Sequence, residues 1–245
     1  MTSFEIIVFD EIDSTNAEAA RRAARGENWP VCLVGLRQTA GRGRRGRTWE
    51  TATGNLAATF LYRTDRPLAE VAQVSFVAAL AAADVIDRYV APSLVSLKWP
   101  NDPMVAGIKT GGILLESGQA QGWPAWVAAG IGINLAYSPQ QSERPATNLA
   151  AHRPGGAPPV LEAVEHLRDA FQRWLTTWTR EGFEPIAQAW TARAHGLGEA
   201  CVARLADETV EGVAEGLDPD GALRLRLPDG RVRRITAGDV FFGGA

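Results

Sequence analysis

The chain of 245 residues is short of the residues on which several common protein classes depend. It has two cysteines, Cys32 and Cys201, too few for a disulfide framework. Its three histidines, His152, His166 and His195, are scattered, which with the cysteine shortage argues against a structural zinc site. No basic stretch precedes an apolar core at the N-terminus, where Glu5, Asp10 and Glu11 stand instead, so a secretory signal is not expected. The longest nearly apolar run, residues 74–83, contains Ser75 and stops at Asp84. That falls short of the roughly 20 residues a membrane span needs. No G-x-S-x-G elbow, Walker A loop or Rossmann glycine fingerprint is present. Lysine is rare as well: of 25 basic residues only Lys98 and Lys109 are lysines. One reading is an arginine bias with two survivors. The sharper one is that a compact ammonium is needed where a guanidinium fork will not fit.

What remains is a globular composition, 46% hydrophobic and 22% charged with a net charge of −3. The length allows one large domain and a small one. Residues 4–10, 31–36 and 55–62 read as strands, and residues 94–99 as a strand stopped by Pro100. Thr15-Asn16-Ala17-Glu18 has the capping-box form, placing a short helix over residues 16–25. Residues 68–89 have helical spacing, and residues 109–117 and 126–135 read as a hairpin of buried strands joined by a Gly/Gln turn. Residues 138–159 read as surface loop, then residues 160–179 and 185–194 as helices. From Ala200 onward short strands alternate with turns, as in Asp218-Pro219-Asp220-Gly221 and Pro228-Asp229-Gly230. The arginines there, Arg224, Arg226, Arg231, Arg233 and Arg234, are interspersed with acids and read as solvated strand faces rather than a nucleic-acid surface.

Four segments carry chemistry. Gly41-Arg42-Gly43-Arg44-Arg45-Gly46-Arg47-Thr48-Trp49 lies in a long loop, residues 38–54. Its glycines let the backbone approach a ligand, its guanidinium groups suit carboxylate and phosphate, and Trp49 offers a stacking face. By itself this loop fits a small anion or a nucleic acid equally well. Lys98-Trp99-Pro100-Asn101-Asp102 ends a strand with an amide and a carboxylate, and Asp102 suits a magnesium ion carrying phosphates. Alone, it is more commonly a turn with an Asx hydrogen bond. Lys109 opens a Gly111-Gly112 strand, where the missing side chains leave room for a ligand beside the ammonium. Gly130-Ile131-Gly132-Ile133-Asn134 ends an apolar strand on an asparagine, which must find partners if buried.

In this order, together with Ser14-Thr15-Asn16 and Gln38, these segments resemble the biotin protein ligases over roughly the first 135 residues. The resemblance implies an α+β fold: a mixed β-sheet catalytic domain flanked by helices over residues 1–196, of the class II synthetase/biotin–lipoate ligase type. A small SH3-like β-barrel follows over residues 197–245. It implies activation of biotin by ATP to biotinyl-AMP, then transfer to a lysine of a biotin carboxyl carrier protein. It places Ser14, Thr15, Asn16, Gln38, Gly41, Arg42, Gly43, Arg44, Lys109 and Gly112 around biotin, with Lys109 and Arg44 at the reacting groups. Arg47, Trp49, Asn101, Asp102 and Asn134 fall on the ATP side, with Asp102 as the magnesium ligand. The catalytic pattern begins within the first fifteen residues, so neither a DNA-binding domain nor repressor activity is expected, and neither is membrane binding. A cytoplasmic location is expected, and oligomeric state stays open, a homodimer included. A lipoate ligase, sharing the adenylation logic but not the arginine loop, and a nucleic-acid-binding module are the competing readings.

Overall fold

A computed structural model describes residues 3–27, 30–119, 125–139 and 145–243. Its centre is a mixed five-stranded sheet. β1 (Glu5–Phe9) runs parallel to β2 (Val31–Gly35), joined through α1 (Thr15–Arg25). β3 (Leu56–Thr64) then pairs antiparallel to β2. Two short helices, α2 (Leu68–Val71) and α3 (Val74–Ile86), lead to a separate small sheet. It is formed by β4 (Val95–Lys98), β5 (Asp102–Val105) and β6 (Ile108–Lys109). β7 (Gly111–Gly118) and β8 (Ala125–Ile133) return to the main sheet, whose order is β1-β2-β3-β8-β7. α4 (Val160–Glu181) and α5 (Glu184–Thr191) complete the large unit. The turn expected between β7 and β8, and part of the loop before α4, lie outside the described residues.

The two-residue period of the strands sorts side chains onto two faces. From β2, β3 and β8, the residues Cys32, Val34, Leu56, Ala58, Phe60, Val127, Ala129 and Ile131 join the main core under α3 and α4. The alternate positions Val31, Leu33, Leu61 and Ala128 pack against Ala19 of α1. α3 is apolar nearly all round because it is covered nearly all round, by the sheet and by α4. This explains why Leu68–Ile86 has the composition of a membrane span: most of it lies inside the protein. The chain breaks between α2 and α3, where a single helix was expected over residues 68–89.

Two further differences reach the site. α1 is capped by Ser14, whose Oγ accepts from Ala17 N, one residue earlier than the capping box suggested. Ser14 and Thr15 are both good caps, and the extended conformation of Ser14 decides between them. Lys109 is not the start of the long hairpin strand. It lies in β6, paired to Met104 of β5, and the chain crosses at Thr110 before β7 begins. The β5–β6 turn uses Ala106 and Gly107, both at positive φ (51° and 75°), the pattern of a tight hairpin.

The C-terminal unit comprises β9 (Ala200–Arg204), β10 (Thr209–Leu217), β11 (Leu223–Arg226), β12 (Val232–Ile235) and β13 (Asp239–Phe242). The sheet order is β12-β11-β10-β9-β13 and every pairing is antiparallel. β12 and β13 are edges and do not pair, so the expected barrel is an open sheet. Both expected turns form, with Gly221 and Gly230 at positive φ. The unit shares the main core through Ala203, Ala214 and Leu225, and Gly221 O accepts from Trp99 Nε1 at 3.0 Å. Its arginines are met by acids: Arg226 by Glu215, Arg231 by Asp229, Arg233 by Glu208, and Arg234 by Asp218 and Asp220. That pairing suits solvated strand faces, not a phosphate-binding surface.

Candidate active site

On the sheet face that carries α1, beyond the start of the helix, the strands present small residues: Ala57, Gly112, Gly130 and Gly132. The space they leave is a cavity of about 390 Å³. Every expected site residue lines it except Gly41. Gly41 serves the backbone instead, since a Cβ there would meet Trp49 O at 2.2 Å.

One end of the cavity is built from neutral polar groups. Gln38 Oε1 accepts from Thr15 N at 2.8 Å and from Thr15 Oγ1 at 3.2 Å, and Gln38 Nε2 donates to Thr51 Oγ1. Asn16 Nδ2 donates to Leu114 O and Glu116 Oε2, and Asn16 Oδ1 lies 2.7 Å from Thr59 Oγ1. Thr59 also lies 2.8 Å from Thr15 Oγ1. The amides and hydroxyls are thereby fixed in orientation. Gly130 makes room for Asn16, because a Cβ there would stand 2.0 Å from Asn16 Oδ1.

Over the cavity lies a flap, residues 41–49, which is a small hairpin and not the irregular loop expected. Trp49 N donates to Gly41 O, Gly43 N donates to Arg47 O, and Arg42 bridges Thr48. Arg45 and Gly46 turn it at positive φ. Glycine is a poor strand former and the β-branched and aromatic residues that mark strands are nearly absent here, so composition hides the pairing. Arg42 Nη2 donates to Glu116 at 2.9 Å and Arg44 Nη1 to Asn101 Oδ1 at 2.9 Å. Burial holds the Arg44 guanidinium below the usual arginine range. Arg47 and Arg45 reach Asp239 of β13 at 3.3 and 3.6 Å. The Trp49 ring rests over the glycines of β7 and β8: a Cβ on Gly132 would stand 2.5 Å from it, and one on Gly112 3.2 Å.

At the far side β4, β5 and β6 bring both lysines of the protein onto one carboxylate. Asp102 Oδ1 accepts from Lys109, and Asp102 Oδ2 pairs with Lys98 at 3.3 Å. Asp102 is 6% exposed. Burial pushes its carboxyl up, but the two ammonium groups outweigh that and hold it below the usual carboxylate range. Asn101 Nδ2 donates to Ile113 O, so both ends of this amide are engaged. Asn134 Nδ2 donates to Thr147 O, tying the segment after residue 145 to the cavity wall. Asp102 does not form a protein-built magnesium site: both its oxygens carry ammonium partners, and no group of three or more His, Cys, Asp or Glu residues converges among the described residues. A magnesium ion here would have to arrive on the nucleotide's own phosphates.

The fold and this cavity define a class. The sequence matches the model of the biotin/lipoate A/B protein ligase family over residues 8–134, and that of the biotin protein ligase C-terminal domain over residues 196–243. The chain belongs to the biotin/lipoate A/B protein ligase family. Within it, the chain is 43% identical to the biotin–[acetyl-CoA-carboxylase] ligase of Paracoccus denitrificans, over 95% of this chain and 98% of that protein. It is 30% identical to the bifunctional ligase/repressor BirA of Bacillus subtilis, covering 97% of this chain and 74% of that one. The structure superposes on the Aquifex aeolicus biotin protein ligase in complex with biotin and ATP with a TM-score of 0.82, at 25% identity, covering 98% and 99% of the two chains. The Leishmania major biotin protein ligase in complex with biotinyl-5-AMP gives 0.67, also at 25% identity, covering 95% and 99%.

Residues that local motifs do not reveal complete the site. Glu116, Thr59 and Asp239 are an ordinary strand glutamate, a strand threonine and an aspartate of the C-terminal unit. Only the alternation of β3 and β7 hints that Thr59 and Glu116 leave the core face.

Proposed function

We propose that this protein is a biotin–protein ligase: it joins biotin to ATP as biotinyl-5′-AMP and transfers the biotinyl group to a lysine of a biotin carboxyl carrier protein, as its similarity to acetyl-CoA-carboxylase ligases suggests. Residues 1–196 form the catalytic unit and residues 197–245 the C-terminal unit. The observation that carries the reading is that the flap, Lys109 and the neutral polar end share one cavity.

A urea-type ring offers N–H donors and a carbonyl acceptor and bears no charge. Ser14, Thr15, Asn16 and Gln38 supply the complementary hydroxyls and amides. The acyl tail then runs along Gly112 toward Lys109, under Arg42 and Gly43. Joining carboxylate to α-phosphate brings two anions together. A carboxylate oxygen forms a bond to the α-phosphorus, and the bond to the leaving pyrophosphate breaks. Lys109, Arg44 and Arg47 offset the repulsion, and a water-poor cavity makes each cation worth more than in bulk solvent. Holding the two groups in line supplies much of the remaining rate. Trp49 offers the adenine a stacking face, and Asn101, Asp102 and Asn134 stand on the nucleotide side. In the second step the carrier amine attacks the acyl carbon and AMP leaves. Between the steps the flap keeps water from the mixed anhydride. The use of ATP favours a cytoplasmic location. The test is ATP–pyrophosphate exchange with biotin, with lipoate and with no acid. Exchange that requires biotin is expected. Equal exchange with lipoate, or exchange without any acid, overturns the reading.

A further inference from the structure

We propose that Glu116 is a positioning residue that couples occupancy of the neutral end of the cavity to closure of the arginine flap. The inference rests on the ligase reading. Glu116 projects from β7, an edge of the main sheet, on the cavity face. A single oxygen, Oε2, accepts from Asn16 Nδ2 at 2.8 Å and from Arg42 Nη2 at 2.9 Å. The other groups around Asn16 are committed: its second amide hydrogen goes to Leu114 O, and its oxygen meets Thr59. A ring carbonyl that takes a hydrogen from Asn16 therefore takes it from Glu116 or from Leu114 O. When it comes from Glu116, Oε2 is left with the arginine as its remaining donor of the two. A carboxylate oxygen relieved of one donor holds the other more strongly. Ring binding thus tightens the contact between Arg42 and β7 and draws the flap down. No new contact between ligand and flap is required for this, so the coupling begins before the acid is activated.

Glu116 and Arg42 are partly solvent-exposed, so their pair alone carries little energy and the expected effects are modest. The experiment follows tryptic cleavage of the flap arginines with and without biotin, and free biotinyl-AMP released per carrier biotinylated. It uses the full chain, Glu116→Gln, Arg42→Ala and the double variant, with melting temperature as a fold control. In the parent, biotin slows cleavage. In Glu116→Gln that protection falls and release rises, each by about two- to fivefold, the range set by a partly exposed ion pair. The double variant releases no more than the worse single variant, because Arg42 acts through Glu116. Parental protection and release in Glu116→Gln, or additive release in the double variant, overturns the inference. A parent that forms no biotinyl-AMP fails the ligase reading itself, a distinct result seen before any variant is compared, and takes this inference with it.

Discussion

Gly130→Ala isolates the packing of the neutral end of the cavity from its chemistry. A Cβ at residue 130 would stand 2.0 Å from Asn16 Oδ1 and 2.9 Å from its Cγ. Asn16 is 4% exposed and cannot swing into solvent without leaving its three partners, Leu114 O, Glu116 and Thr59. At about 1 kcal/mol for each hydrogen bond, displacement costs about 3 kcal/mol. Alanine in a strand recovers about 0.5–1 kcal/mol by narrowing the unfolded ensemble. The net loss is about 2 kcal/mol, a fall in melting temperature of about 4–8 °C for a chain of this size. Biotin binding, read by titration calorimetry, weakens about thirtyfold if the same energy is lost from the ring contacts. The control is Asn16→Ala. In that background the collision is gone, so adding Gly130→Ala leaves stability unchanged or slightly improves it. If the alanine costs the same in both backgrounds, the collision argument is wrong. Gly112→Ala makes a second contrast. Its Cβ meets the edge of the Trp49 ring at 3.2 Å, and the flap can shift by a few tenths of an ångström, so the effect is much smaller.

Three further outcomes follow from the charged end. Lys109→Ala slows pyrophosphate exchange by about 10²–10³-fold, the cost of removing a donor aimed at developing charge; a loss below threefold refutes that role. Arg44→Gly removes a charged hydrogen bond to Asn101 and releases free biotinyl-AMP about ten- to a hundredfold faster; a variant that retains its intermediate like the parent refutes the flap's sealing role. Asp102 is held below the usual carboxylate range, so its contribution to stability is present above the unfolded value of about 4 and fades as pH falls through the lower folded value. Urea unfolding should therefore show a gap between parent and Asp102→Asn that is constant from about pH 7 to 5 and closes on further acidification; a gap that widens in acid contradicts the assignment.

The sequence disclosed what is local. The flap, Lys98 to Asp102, and the glycines of β7 and β8 are contiguous patterns whose residue types have few other uses. It did not disclose partners brought from afar. Asp239 reaches Arg47 across 192 positions, Glu116 reaches Asn16 across 100, and Thr59 reaches Asn16 across 43. Nothing adjacent to these residues marks them. The barrel is what the resemblance implies; the strands and turns after Ala200, which composition supports, are present. Closure depends on whether β12 and β13 meet, and no local residue decides that. The cap of α1 was displaced by one position because Ser14 and Thr15 have nearly equal claims to it. The strand boundary at Lys109 was missed because Thr110 looks like any strand residue, although its N–H pairs with Pro103 O and its carbonyl with Asn134 N.

The distant partners also change what the cations do. A row of arginines and a lysine suggests bare positive charge awaiting an anion. The structure shows otherwise: Arg42 is on Glu116, Arg45 and Arg47 are on Asp239, and Lys109 is on Asp102. Phosphate and carboxylate therefore reach Arg45, Arg47 and Lys109 by exchange with Asp239 and Asp102, and the gain on binding is a difference between two ion pairs. This tempers affinity for anions in general. It also holds Lys109 in fixed geometry before substrate arrives, so less ordering remains to be done at the charged end of the reactive complex. Arg44 departs from the pattern. Its partner is the neutral amide of Asn101, and burial has already lowered its pKa. An anion reaching Arg44 displaces no carboxylate and relieves a desolvated charge, so of the flap arginines this one has the most to gain from a developing negative charge beside it.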